Sequence, residues 1–182
     1  DKIKNKGVMV MKENNYIPNR ILYLDFDQVL LATEDVLFIE YNEKKKQGIY
    51  LDKQKYLEDF DWHWLVFNSE VIANSLEVLR TIPEAKILTK VHSLKEASAK
   101  IKFLRAEELP NEIILVPGNH KKIDLVQAKN NILVDDAVHN LDAWSSAGGI
   151  SYYFNKDNSD IDSWGIINTK YPKIKTLNMF KK

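Results

Sequence analysis

Residues 21–30 read ILYLDFDQVL, and this stretch decides how the rest of the chain is read. Ile21 to Leu24 form an apolar run too short for a helix, which predicts a strand buried on both faces and running straight into Asp25 and Asp27. Further short apolar runs follow: KILT at 86–89, EIILV at 112–116, NILVD at 131–135 and ISYYF at 150–154. They too read as buried strands. Between them lie stripes with helical spacing. Leu94, Ala97, Ile101 and Leu104 form one, opened by a capping box of Ser93 with Glu96. Val71, Ile72, Leu76 and Leu79 form a second, and Leu141, Trp144 and Ala147 a third that Gly148 and Gly149 close. Alternating strands and helices predict an α/β fold: a three-layer, Rossmann-like parallel sheet with helices on both faces.

The rhythm breaks once. About sixty residues separate the first strand from the second, far more than a plain crossover needs. Residues 34–67 therefore read as an insertion, a small and mainly helical cap over the sheet edge. It carries the Lys44–Lys46 run, which reads as a solvated face, and the aromatic residues Phe60, Trp62, Trp64 and Phe67. Residues 20–33 and 68–182 are expected to form the α/β core. Residues 1–19 are polar and lack a period, and read as a disordered tail or as sequence ahead of the native start.

Composition narrows the classes. Among 182 residues, Lys+Arg 26 balance Asp+Glu 26, so no global field favours a nucleic acid polymer or an anionic membrane. With no Cys there is no disulfide, thiolate nucleophile or thiolate zinc site. No apolar run approaches the ~18 residues that span a bilayer, and none resembles a signal peptide. A soluble, cytoplasmic protein is expected.

In an open parallel sheet, ligands bind beyond the carboxyl ends of the strands. There the first strand presents Asp25 and Asp27, the second Thr89, and the fourth Asp135 and Asp136, while Lys121 and Lys122 follow the third. Each alone has an ordinary explanation: a solvated turn, a helix start, a cap. Their ordered recurrence at strand ends does not. Converging carboxylates repel unless a cation sits among them, and hard oxygen ligands suit Mg²⁺, which commonly takes its remaining oxygen from a substrate phosphate. The expected ligand is a small phosphate ester, its oxygens held by a Lys and the Thr hydroxyl. His63, His92, His120 and His139 have no common spacing and are assigned no metal. Trp62, Trp64 and Phe67 read first as core, although a cap covering a nucleotide would use such rings for the base.

The order Asp-x-Asp, Thr, Lys, Asp-Asp resembles the haloacid dehalogenase (HAD) superfamily of phosphatases, over residues 21 to about 154. The resemblance implies catalytic roles for Asp25 as nucleophile, Asp27 as general acid and base, Thr89 and Lys122. Spacing does not separate Lys121 from Lys122. Lys122 is preferred because the family tends to place its Lys two residues before an Asp, here Asp124. The metal set implied is Asp25, Asp27 through its backbone carbonyl, and Asp136 with Asp135. Within the superfamily, KKIDL through NILVDDAVHNLDAWSSAGGI looks most like the 5'(3')-deoxyribonucleotidase branch, which implies a nucleoside monophosphate substrate. One position departs from the pattern. Gln28 stands where the superfamily usually has Gly, so it adopts another backbone angle or accepts strain, and its side chain narrows the leaving-group side. Two other readings compete. A phosphorylated receiver domain would place its acidic pair on the first strand instead, and a phosphate-binding module would have lost turnover through Gln28.

Overall fold

The computed structural model describes residues 20–182; the tail expected over 1–19 lies outside the described residues. Five strands form where the apolar runs predict them: β1 (Leu22–Leu24), β2 (Lys86–Val91), β3 (Ile113–Pro117), β4 (Ile132–Asp135) and β5 (Ile150–Phe154). A two-residue strand, β6 (Lys173–Ile174), completes a parallel sheet of order β3-β2-β1-β4-β5-β6. Sequence periodicity does not reveal β6, because two half-buried residues carry no alternation.

Residue alternation along the strands builds two cores, one on each face. Leu24, Ile87, Val134 and Phe154 point to one side, where they meet α5 (Ser75–Thr81) and α6 (Leu94–Ala106). Tyr23, Leu88, Leu133 and Tyr153 point to the other, against Val138, Leu141 and Trp144 of α7 (Val138–Ser146). The helices change face because β1, β2 and β3 step one way across the sheet and β4 and β5 the other, while each crossover keeps its right hand.

The segment before α5 folds as four short helices, α1 (Glu34–Leu37), α2 (Ile39–Lys46), α3 (Lys53–Asp59) and α4 (Trp62–Asn68). Asp52 and Asp61 cap the last two by accepting from the amides of Lys55 and Trp64. Leu37, Leu57, Trp62, Leu65 and Val66 are buried in the same apolar cluster as Leu24 and Phe26. Trp62 is thus a core residue, its indole N–H donating to the Leu57 carbonyl at 2.6 Å, whereas Trp64 and Phe67 are exposed. Among the described residues, no helix is long and apolar enough to cross a membrane.

Several local expectations change. Val71 and Ile72 precede α5 rather than joining its stripe, and Val71 forms an isolated bridge with Leu31. The α6 stripe does not include Leu94, which is 88% exposed; the buried face runs through Ala97, Lys100, Phe103 and Leu104. Ser93 does accept from the Glu96 amide, at 3.1 Å, but Glu96 reaches back to the His92 amide, at 2.7 Å. Between β3 and β4 there is only one 3-10 turn (Lys122–Asp124), closed by Asp124 accepting from the Lys121 amide.

The end of α7 matches its sequence signal. Gly148 takes φ +84, and the amides of Gly148 and Gly149 return to the carbonyls of Ser145 and Trp144 at 2.9 and 3.0 Å, a Schellman closure. Gly149 is needed for a different reason. A Cβ there would run into the Trp144 indole and come within 2.9 Å of the Ala128 carbonyl. Trp144 is fully buried, with its Nε1 donating to the Asn131 carbonyl. Gly149→Ala should therefore cost about 1–3 kcal/mol through overpacking, read as a lower urea midpoint at unchanged slope.

Candidate active site

Strand register assembles the site. Leu24 lies opposite Val134, so the next residues, Asp25 and Asp135, leave the sheet side by side, with the Asp25 amide donating to the Val134 carbonyl at 3.0 Å. On the other flank Leu24 lies opposite Ile87, which brings Thr89 level with the Phe26–Asp27 turn. The chain departs from β1 toward β2 and returns on its far side as β4, so the crevice between β1 and β4 is the topological switch point.

Asp25, Asp135 and Asp136 each offer a carboxylate oxygen, and these oxygens lie within 4.8 Å of one another. Their surroundings differ. Asp135 is fully buried and occupied: Oδ2 accepts from Lys122 Nζ at 2.6 Å, Oδ1 from the Ala137 amide at 2.9 Å, and Asn140 donates to both. Asp25 is nearly buried, accepts from the Phe26 amide at 2.8 Å and lies 3.0 Å from Lys122 Nζ. Burial pushes its carboxyl up to about 7; Lys122 opposes this, while Asp135 and Asp27 add to it. Asp136 is half-buried. Desolvation, then Asp135, Glu34 and Asp25, hold its carboxyl well above the usual range, and Lys122 counters them only weakly. Repulsion of this kind is what a divalent ion relieves, and the donors are the hard oxygens that Mg²⁺ takes. The residues present fit that ion.

Lys122 is the cation beside the acidic trio. It is buried on the 3-10 turn and bridges Asp25 and Asp135, so that these partners outweigh burial and its pKa shifts upward. Lys121 is exposed.

The Asp27 carboxylate stands apart from the acidic trio. Its Oδ1 accepts from the Thr33 hydroxyl at 2.7 Å, and its Oδ2 from Lys100 Nζ at 2.5 Å and, more loosely, from Thr89 at 3.4 Å. Gln28 adopts φ +57, the left-handed region a Gly would favour, at a cost of roughly 1–2 kcal/mol. Its amide donates to the Leu31 carbonyl, closing a turn that keeps Asp27 beside Thr33, and its side chain donates to Asp35 at 2.8 Å.

Three of these residues were not apparent from sequence. Thr33 sits in a loop between elements. Lys100 had a signal: it falls on the buried face between Ala97 and Leu104, and four residues after Glu96. Glu34 had none, since its surroundings come from distant segments. Burial and then Asp27 raise its pKa, against a hydrogen bond from Ser163 and the charge of Lys53. A cavity of about 490 Å³ opens here, lined by Gln28, Glu34, Phe38, Tyr41, Lys53 and Trp164.

No protein-family model and no curated protein matches the sequence. Solved structures do match in fold. YfnB from Bacillus subtilis, described as a HAD-hydrolase and bound to magnesium, superposes with a TM-score of 0.57 at 12% identity over 88% of this chain and 96% of its own. A HAD phosphatase from Thermococcus onnurineus gives 0.57 at 15% identity, over 87% and 94%. D,D-heptose 1,7-bisphosphate phosphatase from Burkholderia thailandensis gives 0.51 at 12%, over 88% and 95%. The fold of this chain is that of the haloacid dehalogenase-like hydrolases.

Proposed function

We propose that the protein is a magnesium-dependent phosphomonoesterase acting through an aspartyl-phosphate on Asp25. The observation that carries this reading is the convergence, at the switch point of the sheet, of Asp25, Asp135, Asp136 and the Lys122 ammonium, with a second carboxylate, Asp27, held separately beside them. An Asp25 oxygen attacks phosphorus, the bond from phosphorus to the ester oxygen breaks, and Asp27 gives its proton to the departing alcohol. Asp27 then takes a proton from the water that attacks the aspartyl-phosphate, which releases phosphate and restores Asp25. Lys122, already on Asp25, stabilises negative charge on the transferring group. Asp25, Asp136 and the Asp27 carbonyl would hold Mg²⁺, with Asp135 steering Lys122 beside them. When bound, the ion offsets the repulsion between the anionic nucleophile and the anionic ester.

Within this class we favour a nucleoside monophosphate as substrate, with residues 34–67 as the cap that selects it. The rings supporting this are Phe38, Tyr41 and Trp164 around the cavity beside Gln28, rather than the buried Trp62. A screen of mononucleotides, sugar phosphates and aryl phosphates, with magnesium and with chelator, tests both levels. Turnover that survives chelation would refute the mechanism, and unselective turnover would refute the nucleotide assignment.

A stability measurement tests the metal reading independently. Asp25 rises from 3.8 to about 7 on folding, so between those values the native chain binds more protons than the unfolded one. The stability this confers falls away as pH rises through that window. In EDTA the melting temperature should therefore be lower at about pH 8 than at about pH 5. At the higher pH, Mg²⁺ at a hundred times its dissociation constant should restore about 2.7 kcal/mol, on the order of 5–10 °C for a chain of this size. A melting temperature indifferent to magnesium at that pH would count against the site.

A further inference from the structure

We propose that Lys100 is a positioning residue for Asp27, fixing the carboxylate that protonates the leaving alcohol. This rests on the reading of Asp27 as general acid. Lys100 is fully buried, and its ammonium meets Asp27 Oδ2 at 2.5 Å, Glu96 Oε1 at 2.7 Å, and the Thr89 hydroxyl and Lys90 carbonyl each at 3.0 Å. Four acceptors surround three N–H groups. No donor is left over for a phosphate, so Lys100 acts through Asp27 rather than on substrate.

Its ammonium lies 5.3 Å from the Phe26 ring centre and 5.7 Å from that of Trp62, a desolvated setting in which the cation depends on its carboxylate partners. The fold buries a second charge beside it. Glu96, 1% exposed, takes Lys100 on Oε1 and is anchored on Oε2 by the His92 amide at 2.7 Å. Lys100 and Glu96 together are neutral, so what Asp27 gains is chiefly direction. With Thr33 donating to Oδ1 and Lys100 to Oδ2, the plane of the carboxylate is set from both ends. Thr89, expected to hold a phosphoryl oxygen, belongs to the same arrangement: its hydroxyl accepts from Lys100 and leans toward Asp27.

The leaving group supplies the test. p-Nitrophenolate departs without a proton, whereas the alkoxide of glycerol 2-phosphate needs one. In Lys100→Met, kcat/KM for glycerol 2-phosphate should fall by roughly 10²-fold or more, the scale of general acid catalysis, and that for p-nitrophenyl phosphate by only a few fold. Because Lys100→Met leaves Glu96 buried and unpaired, Glu96→Gln with Lys100→Met is the companion variant. It removes both charges, and the same split between esters is expected. Equal losses on the two esters, or none, in a folded variant overturn the inference while leaving the hydrolase reading intact. Where the wild type is selective, a nucleoside 5'-monophosphate takes the place of glycerol 2-phosphate as the alkyl ester; a wild-type protein inert toward nucleotide, glycerol 2-phosphate and p-nitrophenyl phosphate alike overturns the hydrolase reading and this inference with it.

Discussion

Asp25→Asn should lower turnover of a phosphate monoester by at least about 10⁴-fold, the scale on which removal of a nucleophile leaves only binding and electrostatic catalysis. The protein should fold as well as before. Asp25 sits at the end of β1 with 7% of its surface exposed, and its charge is opposed first by burial and then by Asp135 and Asp27, with Lys122 the main counterweight. An amide of the same shape still accepts from the Phe26 amide, as the carboxylate does at 2.8 Å, but it cannot form an acyl-phosphate. The melting temperature in EDTA should therefore stay level or rise while hydrolysis disappears. Initial rates on the ester that the wild type turns over fastest and a thermal melt from one preparation suffice. More than about one per cent of wild-type kcat in a folded Asp25→Asn protein, beyond what transition-state electrostatics alone sustain, would mean that another residue attacks phosphorus.

The strands of the sheet show how far sequence carried. ISYYF at 150–154 becomes β5 with identical bounds, because an apolar run between Gly149 and Asn155 has no competing conformation. Parallel strands end at the same edge, so the placement of Asp25, Thr89 and Asp135 there was implicit in the alternation of runs and helical stripes. What stayed hidden depends on contacts between segments remote in sequence. Lys100 falls on the apolar face of its helix, but its role shows only when β2 supplies Thr89 and β1 supplies Asp27 around it. Glu34 is raised by burial among distant segments and by Asp27, and helical spacing says nothing of either. Gln28 was legible as a departure, and contacts decide between its two outcomes. The residue type predicted either another backbone angle or strain, and it is strain that is found: hydrogen bonds from Gln28 to Leu31 and from Leu30 to Phe26 impose the left-handed conformation on it.

Lys122→Met should damage both stability and rate, and the two effects can be separated. Met follows the Lys stem closely in shape, so packing on the 3-10 turn changes little. What disappears is the ammonium 3.0 Å from Asp25 and 2.6 Å from Asp135. Two buried carboxylates then face each other with Asp136 nearby, and removing one partner of a buried ion pair costs on the order of 3–5 kcal/mol. In EDTA that corresponds to a loss of roughly 6–20 °C in melting temperature; with magnesium the loss should be smaller, since the ion replaces part of the missing charge. On activity, kcat should fall about 10²–10³-fold, with a lesser change in KM, as expected for charge stabilisation that grows in the transition state. Lys122→Met with Asp135→Asn divides the causes. The side-chain carbonyl introduced by Asp135→Asn still accepts from the Ala137 amide, and one buried charge is gone, so most of the lost melting temperature should return while kcat stays low. A double variant as unstable as the single one would place the defect in packing rather than charge. A single variant within tenfold of wild-type kcat would show that this ammonium does not act on the transferring phosphoryl group.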